Sequence, residues 1–274
     1  MGLVPGHGSE QGESRTYQPG DDVRRIDWNV TARMIEPHVR ETIADRELET
    51  WVVLDLAPSL SFGTALCEKR DLAISAAAAA GFLTHRTGNR FGLLVLTPGG
   101  AATFPARGGK DHLLAAMHHL VTSPRFESGR TDLVSGLGRI GAIARRRGFV
   151  VVVSDFLADP ATWEHPLARL STRHEVLCVD VADPRELELP PVGVLQLVDP
   201  GSGELLEVQS SNARVRARYA EAAAAQRAAI AAAIVRSGAG HLRLRTDRDW
   251  LLDLVHFVAA RRDRIRGLTR SRPT

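Results

Sequence analysis

The 274-residue sequence predicts an α/β fold of three αβα layers around a mostly parallel sheet. Three observations predict it. Short apolar runs rich in β-branched residues recur along the chain, stretches of helical length lie between them, and two of the runs end on an aspartate. Runs that are apolar throughout, rather than alternating, belong to strands buried on both faces, and the intervening helices supply the crossovers of a parallel sheet. The terminal aspartates matter because doubly wound sheets gather ligands beyond the carboxyl ends of their strands.

The elements follow in order. Residues 1–45 are polar, with turn signals at Pro5-Gly6, Pro19-Gly20 and Glu36-Pro37. Residues 17–40 mix Tyr17, Val23, Ile26, Trp28 and Val39 with many charges, which reads as an ordered extension with Trp28 as a buried anchor. Residues 50–56, Thr-Trp-Val-Val-Leu-Asp-Leu, form the first core strand. A loop over 57–64 leads to an alanine-rich helix ending near Arg86. Residues 90–96 are a strand, 97–100 a turn and 101–104 a short third strand. Helices are expected over 110–121 and 131–147, the latter stopped by Gly148. Residues 149–153 are the clearest buried strand, followed by a helix over 162–171 and a strand over 175–181. Residues 192–198 and 204–208 flank Asp199-Pro200-Gly201-Ser202-Gly203 as a β-hairpin. A long helix over 212–236, a strand over 241–245 and a helix over 250–262 capped by Asp247 complete the chain.

Composition excludes several classes of function. The net charge is +3, but six arginines against one acid from Arg261 onward give the tail +5, leaving the body at about −2 by subtraction. The body is therefore not a basic nucleic-acid platform, and the tail reads as a solvated end. The two cysteines, Cys67 and Cys178, lie apart in apolar patterns and suit neither a disulfide framework nor a zinc site, so a reduced, cytoplasmic setting is expected. No run is long and apolar enough to span a bilayer. Two of His112, His118 and His119 share a helix face but have no matching acids, Gly108-Gly109-Lys110 lacks the rest of a phosphate-binding loop, and no Gly-x-Ser-x-Gly elbow is present.

The polar residues at the strand ends are the candidate site. Asp55 ends the first strand, Ser59 and Ser61 lie in the loop behind it, Thr131 follows the loop Ser128-Gly129-Arg130, and Asp155 follows the strand 149–153. These are hard oxygen donors from separate loops, a set suited to magnesium, which keeps several of its waters.

Asp55-Leu56-Ala57-Pro58-Ser59 resembles the Asp-x-Ser-x-Ser signature of von Willebrand factor A domains. Gly129-Arg130-Thr131-Asp132 and Val152-Val153-Ser154-Asp155 resemble that family's threonine loop and later aspartate strand. The resemblance implies a Rossmann-type topology and a metal-ion-dependent adhesion site. In it Asp55, Ser59, Thr131 and Asp155 would hold Mg²⁺ or Mn²⁺, and a partner's carboxylate would complete the shell. Ala57 departs from the pattern, because it has no donor where the family has its first serine.

Upstream, Gly12-Glu13-Ser14-Arg15-Thr16-Tyr17-Gln18-Pro19-Gly20-Asp21-Asp22-Val23-Arg24-Arg25-Ile26-Asp27-Trp28 and Thr31-Ala32-Arg33 resemble the hallmark of bacterial proteins of domain of unknown function family 58. Thr246-Asp247-Arg248-Asp249-Trp250 is similar to them too. That resemblance covers nearly the whole chain. It implies a non-catalytic adaptor working with a MoxR-type AAA+ ATPase in a chaperone-like or complex-maturation role. The hallmark falls close to Met1, so a longer natural N-terminus is an expectation.

The expected division is an extension over 1–48 packed on the core, a von Willebrand factor A-like core over 49–185, a hairpin and helices over 186–263, and a basic tail over 264–274. Among Asp21, Asp22, Arg24, Arg25, Asp27 and Arg33, an ion-pair network that fixes the extension to the core is favoured over a docking surface for the ATPase. The alternative activity is a magnesium-dependent phosphohydrolase with Asp55 as nucleophile. It is weakened because its acid/base position is Ala57.

Overall fold

The structure is a computed structural model that describes residues 5–19, 21–34, 36–43, 49–85 and 89–270. The chain divides into two compact units, Met1–Glu47 and Leu48–Thr274. In the first, strand β1 (Pro5–Thr16) and strand β2 (His38–Ile43) pair antiparallel on either side of a four-residue helix, α1 (Trp28–Thr31). The acids of the 12–33 segment act mostly as caps. Asp27 accepts from the Asn29 and Val30 backbone N–H groups and Asp22 from that of Arg24, while Asp21 takes both Arg15 guanidinium nitrogens at 2.6 and 2.7 Å. The Arg15 pairing holds the Asp21 carboxyl below the usual carboxylate range. Trp28 is not the buried anchor expected of it: it is 69% exposed, while Asp27 and Val39 are buried. The reason is local, since capping turns Asp27 toward the backbone and leaves the first helical residue facing out. Gly20, of the Pro19-Gly20 turn, lies outside the described residues.

In the second unit the elements are β3 (Glu49–Asp55), α2 (Lys69–Thr84), β4 (Arg90–Thr97), β5 (Gly100–Arg107), α3 (Lys110–Thr122), α4 (Leu133–Ile143), β6 (Phe149–Ser154), α5 (Pro160–Arg173) and β7 (Glu175–Ala182). There follow β8 (Val194–Val198), β9 (Leu205–Gln209), α6 (Ala213–Arg236), β10 (Gly240–Arg245) and α7 (Trp250–Arg270). Six strands form one sheet in the order β10-β7-β6-β3-β4-β5, parallel except for β5, which runs antiparallel to β4 as an edge. This is the doubly wound order that reverses beside its first strand. β8 and β9 pair as a separate two-stranded hairpin.

Strand residues alternate between two cores. Val52, Leu54, Leu93 and Val153 meet Leu72, Ala73, Ala77 and Leu113 on one face, with Trp250 and Phe257 of α7 against them. Trp51, Val53, Val150 and Val152 meet Leu137, Ile140, Trp163, Leu167, Ile230 and Ile234 on the other. Both sheet faces are thus covered, which gives the three αβα layers. Gly92 pairs with Trp51 in register, and a Cβ there would lie 2.5 Å from the indole ring. Only glycine lets the ring lie across the sheet.

Several boundaries differ from expectation. α4 spans Leu133–Ile143, because Asp132 caps it by accepting from the Ser135 N–H and the backbone leaves the helical region at Ala144. Thr131 therefore lies in the loop before the helix. β5 runs to Arg107, sustained by its pairing with β4. Asp249, not Asp247, caps α7, and Asp247 instead pairs with Arg245 at 2.7 Å. α7 continues to Arg270 rather than ending near Arg262. Among the described residues no helix is long and apolar enough to cross a membrane.

Candidate functional site

The strand order reverses between β3 and β6, and the candidate residues collect at the carboxyl ends of these two strands. Asp55 is the last residue of β3 and is buried. Its Oδ2 accepts the Ser154 hydroxyl at 2.8 Å, across the β3–β6 pair. Its Oδ1 is buried without a hydrogen-bond partner. Burial first, and then the nearby Asp155 charge, push the Asp55 carboxyl up to about 6, against the opposing effect of Thr131, Ser154 and the Ala57 N–H. The Thr131 hydroxyl faces Asp55 without closing a well-formed hydrogen bond. It is brought there by Gly129, whose φ of +111° only glycine adopts readily and whose N–H donates to the Pro200 carbonyl at 3.2 Å.

Ser154 has a second role. Its Oγ accepts the Phe156 N–H at 3.1 Å, and Phe156 has φ of +51°. An aromatic residue in the left-handed region is strained by about 1–3 kcal/mol and persists only where its surroundings impose it. Here the ring is buried and tilted against Trp163, with centroids 5.3 Å apart. We expect Ser154→Ala to cost about 1–3 kcal/mol in urea denaturation, since it strips the one partner of Asp55 Oδ2 and the prop of the strained turn. Ser154→Thr, which keeps the hydroxyl, recovers part of it. Equal stability of Ser154→Ala and wild type would show that the serine props nothing.

Asp155 has a different environment. Its Oδ2 accepts the Lys69 ammonium at 2.9 Å, and the same ammonium reaches Glu186 Oε1 at 2.5 Å. Glu186 Oε2 accepts from Arg227 at 2.9 Å. Arg227 also donates to the Asp155 carbonyl at 3.0 Å and to Asp180 Oδ1 at 2.9 Å, and Arg243 reaches Asp180 Oδ2 at 2.8 Å. Burial alone would raise the Asp155 carboxyl, but Lys69, with Ser59 and Arg227, outweighs it and holds the group below the usual carboxylate range. Burial would likewise depress the Lys69 ammonium, and the Asp155 and Glu186 charges carry it above its usual value instead.

All four expected residues therefore sit at one place, but as two pairs. Thr131 faces Asp55, and Ser59 faces Asp155. Sequence reasoning missed Ser154, Lys69, Glu186 and Arg227. A signal existed for Arg227. It shares a helical face with Ile230, Ala233 and Ile234, and a charge on an apolar stripe requires buried partners. Lys69 and Glu186 carried no such pattern. His112 contacts the Phe91 carbonyl and His119 packs on Phe104, which accounts for both without a ligand. Cys67 and Cys178 are free thiols, and burial raises the pKa of each.

As a cage for a resident divalent ion the set fits poorly. Ala57 supplies no donor, Ser154 occupies one Asp55 oxygen, and the Asp155 carboxylate is taken by Lys69. What remains is Asp55 Oδ1, the second Asp155 oxygen and the Thr131 and Ser59 hydroxyls, and an ion drawn to them would meet the Lys69 ammonium already seated on Asp155. Among the described residues no group of three or more His, Cys, Asp and Glu side chains is placed to hold a metal.

Beside Ser59 opens a cavity of about 1130 Å³ between the switch-point loops and the β8–β9 hairpin. Phe62, Phe126, Leu157, Leu197, Leu206 and Tyr219 line it. Val194, Val198, Leu205 and Leu206 of the hairpin are exposed.

The family model described as "Protein of unknown function DUF58" matches residues 13–229. The chain belongs to that family. The match begins within the 12–33 segment and takes in both strands of the site. This DUF58 chain is 52% identical over 263 residues to the uncharacterized proteins Rv1480 of Mycobacterium tuberculosis and Mb1516 of Mycobacterium bovis, covering 96% of itself and 82% of each relative. Among solved structures it is similar to the SpRpn10 VWA domain, with TM-score 0.46 and 14% identity, covering 76% of this chain and 93% of that one. It is also similar to an aerotolerance-related membrane protein from Bacteroides fragilis, with TM-score 0.44 and 16% identity, covering 69% and 99%.

Proposed function

We propose that this DUF58 chain is a non-catalytic protein-binding module that docks a MoxR-type AAA+ ATPase on the face formed by the switch-point loops and the β8–β9 hairpin. One observation carries the reading: an open apolar cavity stands against the Asp55 loops, walled by a hairpin whose apolar side chains face solvent. A two-stranded hairpin on its own is marginally stable, and exposed apolar patches of this kind mark surfaces that a partner covers. The adaptor role in complex maturation rests on the family resemblance. The site fits poorly with turnover. Asp55 as a phosphohydrolase nucleophile needs an acid/base two residues on, where Ala57 stands, and its carboxylate already holds Ser154. The magnesium or manganese ion of the resemblance has no place in this reading of the free chain.

The test is binding of a recombinant MoxR-type ATPase from the same genome, by biolayer interferometry. Val198→Asp and Leu206→Asp place charge on exposed positions of the cavity wall and should leave the circular dichroism spectrum of the fold unchanged. We expect each to weaken binding at least about tenfold, consistent with loss of an apolar contact of roughly 1.4 kcal/mol or more. Absence of wild-type binding, or wild-type affinity in both variants, would overturn the proposal.

A further inference from the structure

We infer that Lys69 is the built-in cation of this site, holding Asp155 and Glu186 together in the position where a divalent ion would otherwise be drawn. The inference concerns the same loops as the docking proposal but does not rest on the partner, and its experiment uses the isolated chain.

Three features carry it. Lys69 is 0% exposed, although lysine is almost never fully buried without a paired anion. It is the first residue of α2, where the helix dipole disfavours a cation, so helix formation does not explain its presence there. Its ammonium makes two short contacts to carboxylates from different loops, Asp155 after β6 and Glu186 after β7. It thus ties the loop after β6 to the loop after β7. It belongs to one ion-pair network in which the carboxylates of Asp155, Asp180 and Glu186 meet Lys69, Arg227 and Arg243. A divalent ion bound to Asp155 would face the ammonium a few ångströms away in a low-dielectric setting, where like charges repel strongly. A lysine therefore does permanently, and without exchange, what a bound ion would do reversibly.

Melting temperature against Mn²⁺ and Mg²⁺ tests this in wild type, Lys69→Ala, Asp155→Asn and the Lys69→Ala/Asp155→Asn double variant. In wild type neither the metals nor EDTA should move Tm. Lys69→Ala vacates the ammonium position and leaves two facing carboxylates. Its Tm should fall, and Mn²⁺ about a hundredfold above its Kd should then raise it by about 5–10 °C. The double variant should lose that response. Saturable Mn²⁺ binding by wild type that Asp155→Asn abolishes would overturn the inference, because Asp155 would then be open to metal. So would a Lys69→Ala chain as stable as wild type, or one destabilised and indifferent to metal. If Lys69→Ala folds only in Mn²⁺, that supports the inference directly. If it never folds, calorimetric Mn²⁺ titration of wild type against Asp155→Asn decides: no Asp155-dependent binding supports it, and Asp155-dependent binding sinks it.

Discussion

Replacing Arg227 with alanine should destabilise the chain by about 3–5 kcal/mol, as breaking a buried ion pair from one side generally does. Arg227 is buried in α6 and donates to Asp180, Glu186 and the Asp155 carbonyl. Removing it leaves two buried or half-buried carboxylates and the Asp155 carbonyl each short of a donor. Urea denaturation near neutral pH checks the size. Arg227→Met keeps much of the apolar stem and should recover packing but not the charge. The pH dependence has a definite sign. Burial would raise the Asp180 carboxyl, but His241, Arg227 and Arg243 hold it below the usual carboxylate range. A depressed carboxylate contributes stability that is fully present above the unfolded value and is lost as pH falls through the folded one. The penalty of Arg227→Ala should therefore be full above about pH 4 and shrink in stronger acid, where wild type loses the same contribution. A penalty that grew on acidification would contradict this account.

Trp163→Ala should cost about as much, roughly 3–5 kcal/mol, for a different reason. The indole is fully buried on the face of the sheet covered by α4, α5 and α6, and its Nε1 donates to the Ala158 carbonyl at 3.0 Å. It also backs the Phe156 ring, and so helps to impose the left-handed backbone immediately after Asp155. The variant should lose transfer free energy and leave a cavity, and the turn should relax toward an unstrained conformation. Trp163→Phe retains the ring contact and should cost clearly less. Hydrogen exchange reads the local consequence: the Phe156 amide, which donates to Ser154, should exchange faster in Trp163→Ala beyond what the global loss of stability explains. Unchanged protection relative to the core strands would mean that the turn holds without the indole.

The sequence by itself determined the doubly wound core of this protein and put Asp55 and Asp155 at the carboxyl edge of its sheet. Strands such as Phe149-Val150-Val151-Val152-Val153 are apolar on both faces, so they require a helix on each side, and connections between parallel strands supply them. Asp55 and Asp155 follow such strands directly, so their position at the carboxyl edge follows from strand length alone. The 12–33 segment identified the family for the same reason that any long, specific run of residues does. Local caps were less legible. Asp247 and Asp249 both precede α7, and only backbone geometry assigns the cap to the second. Trp28 read as an anchor because tryptophans usually bury, yet the Asp27 cap leaves it outside.

What only the tertiary structure decided is the electrostatics of the site. Lys69, Glu186 and Arg227 lie far apart in sequence and on three different elements, so no spacing or periodicity links them to Asp155. Whether a strand-end carboxylate is open to a metal or already neutralised depends on which side chain the packing brings within about 3 Å of it. That is a property of the assembled layers, because charges act through space at a strength set by burial. The same two aspartates end with opposite pKa shifts, Asp55 raised and Asp155 lowered, because a buried ammonium reaches one and not the other.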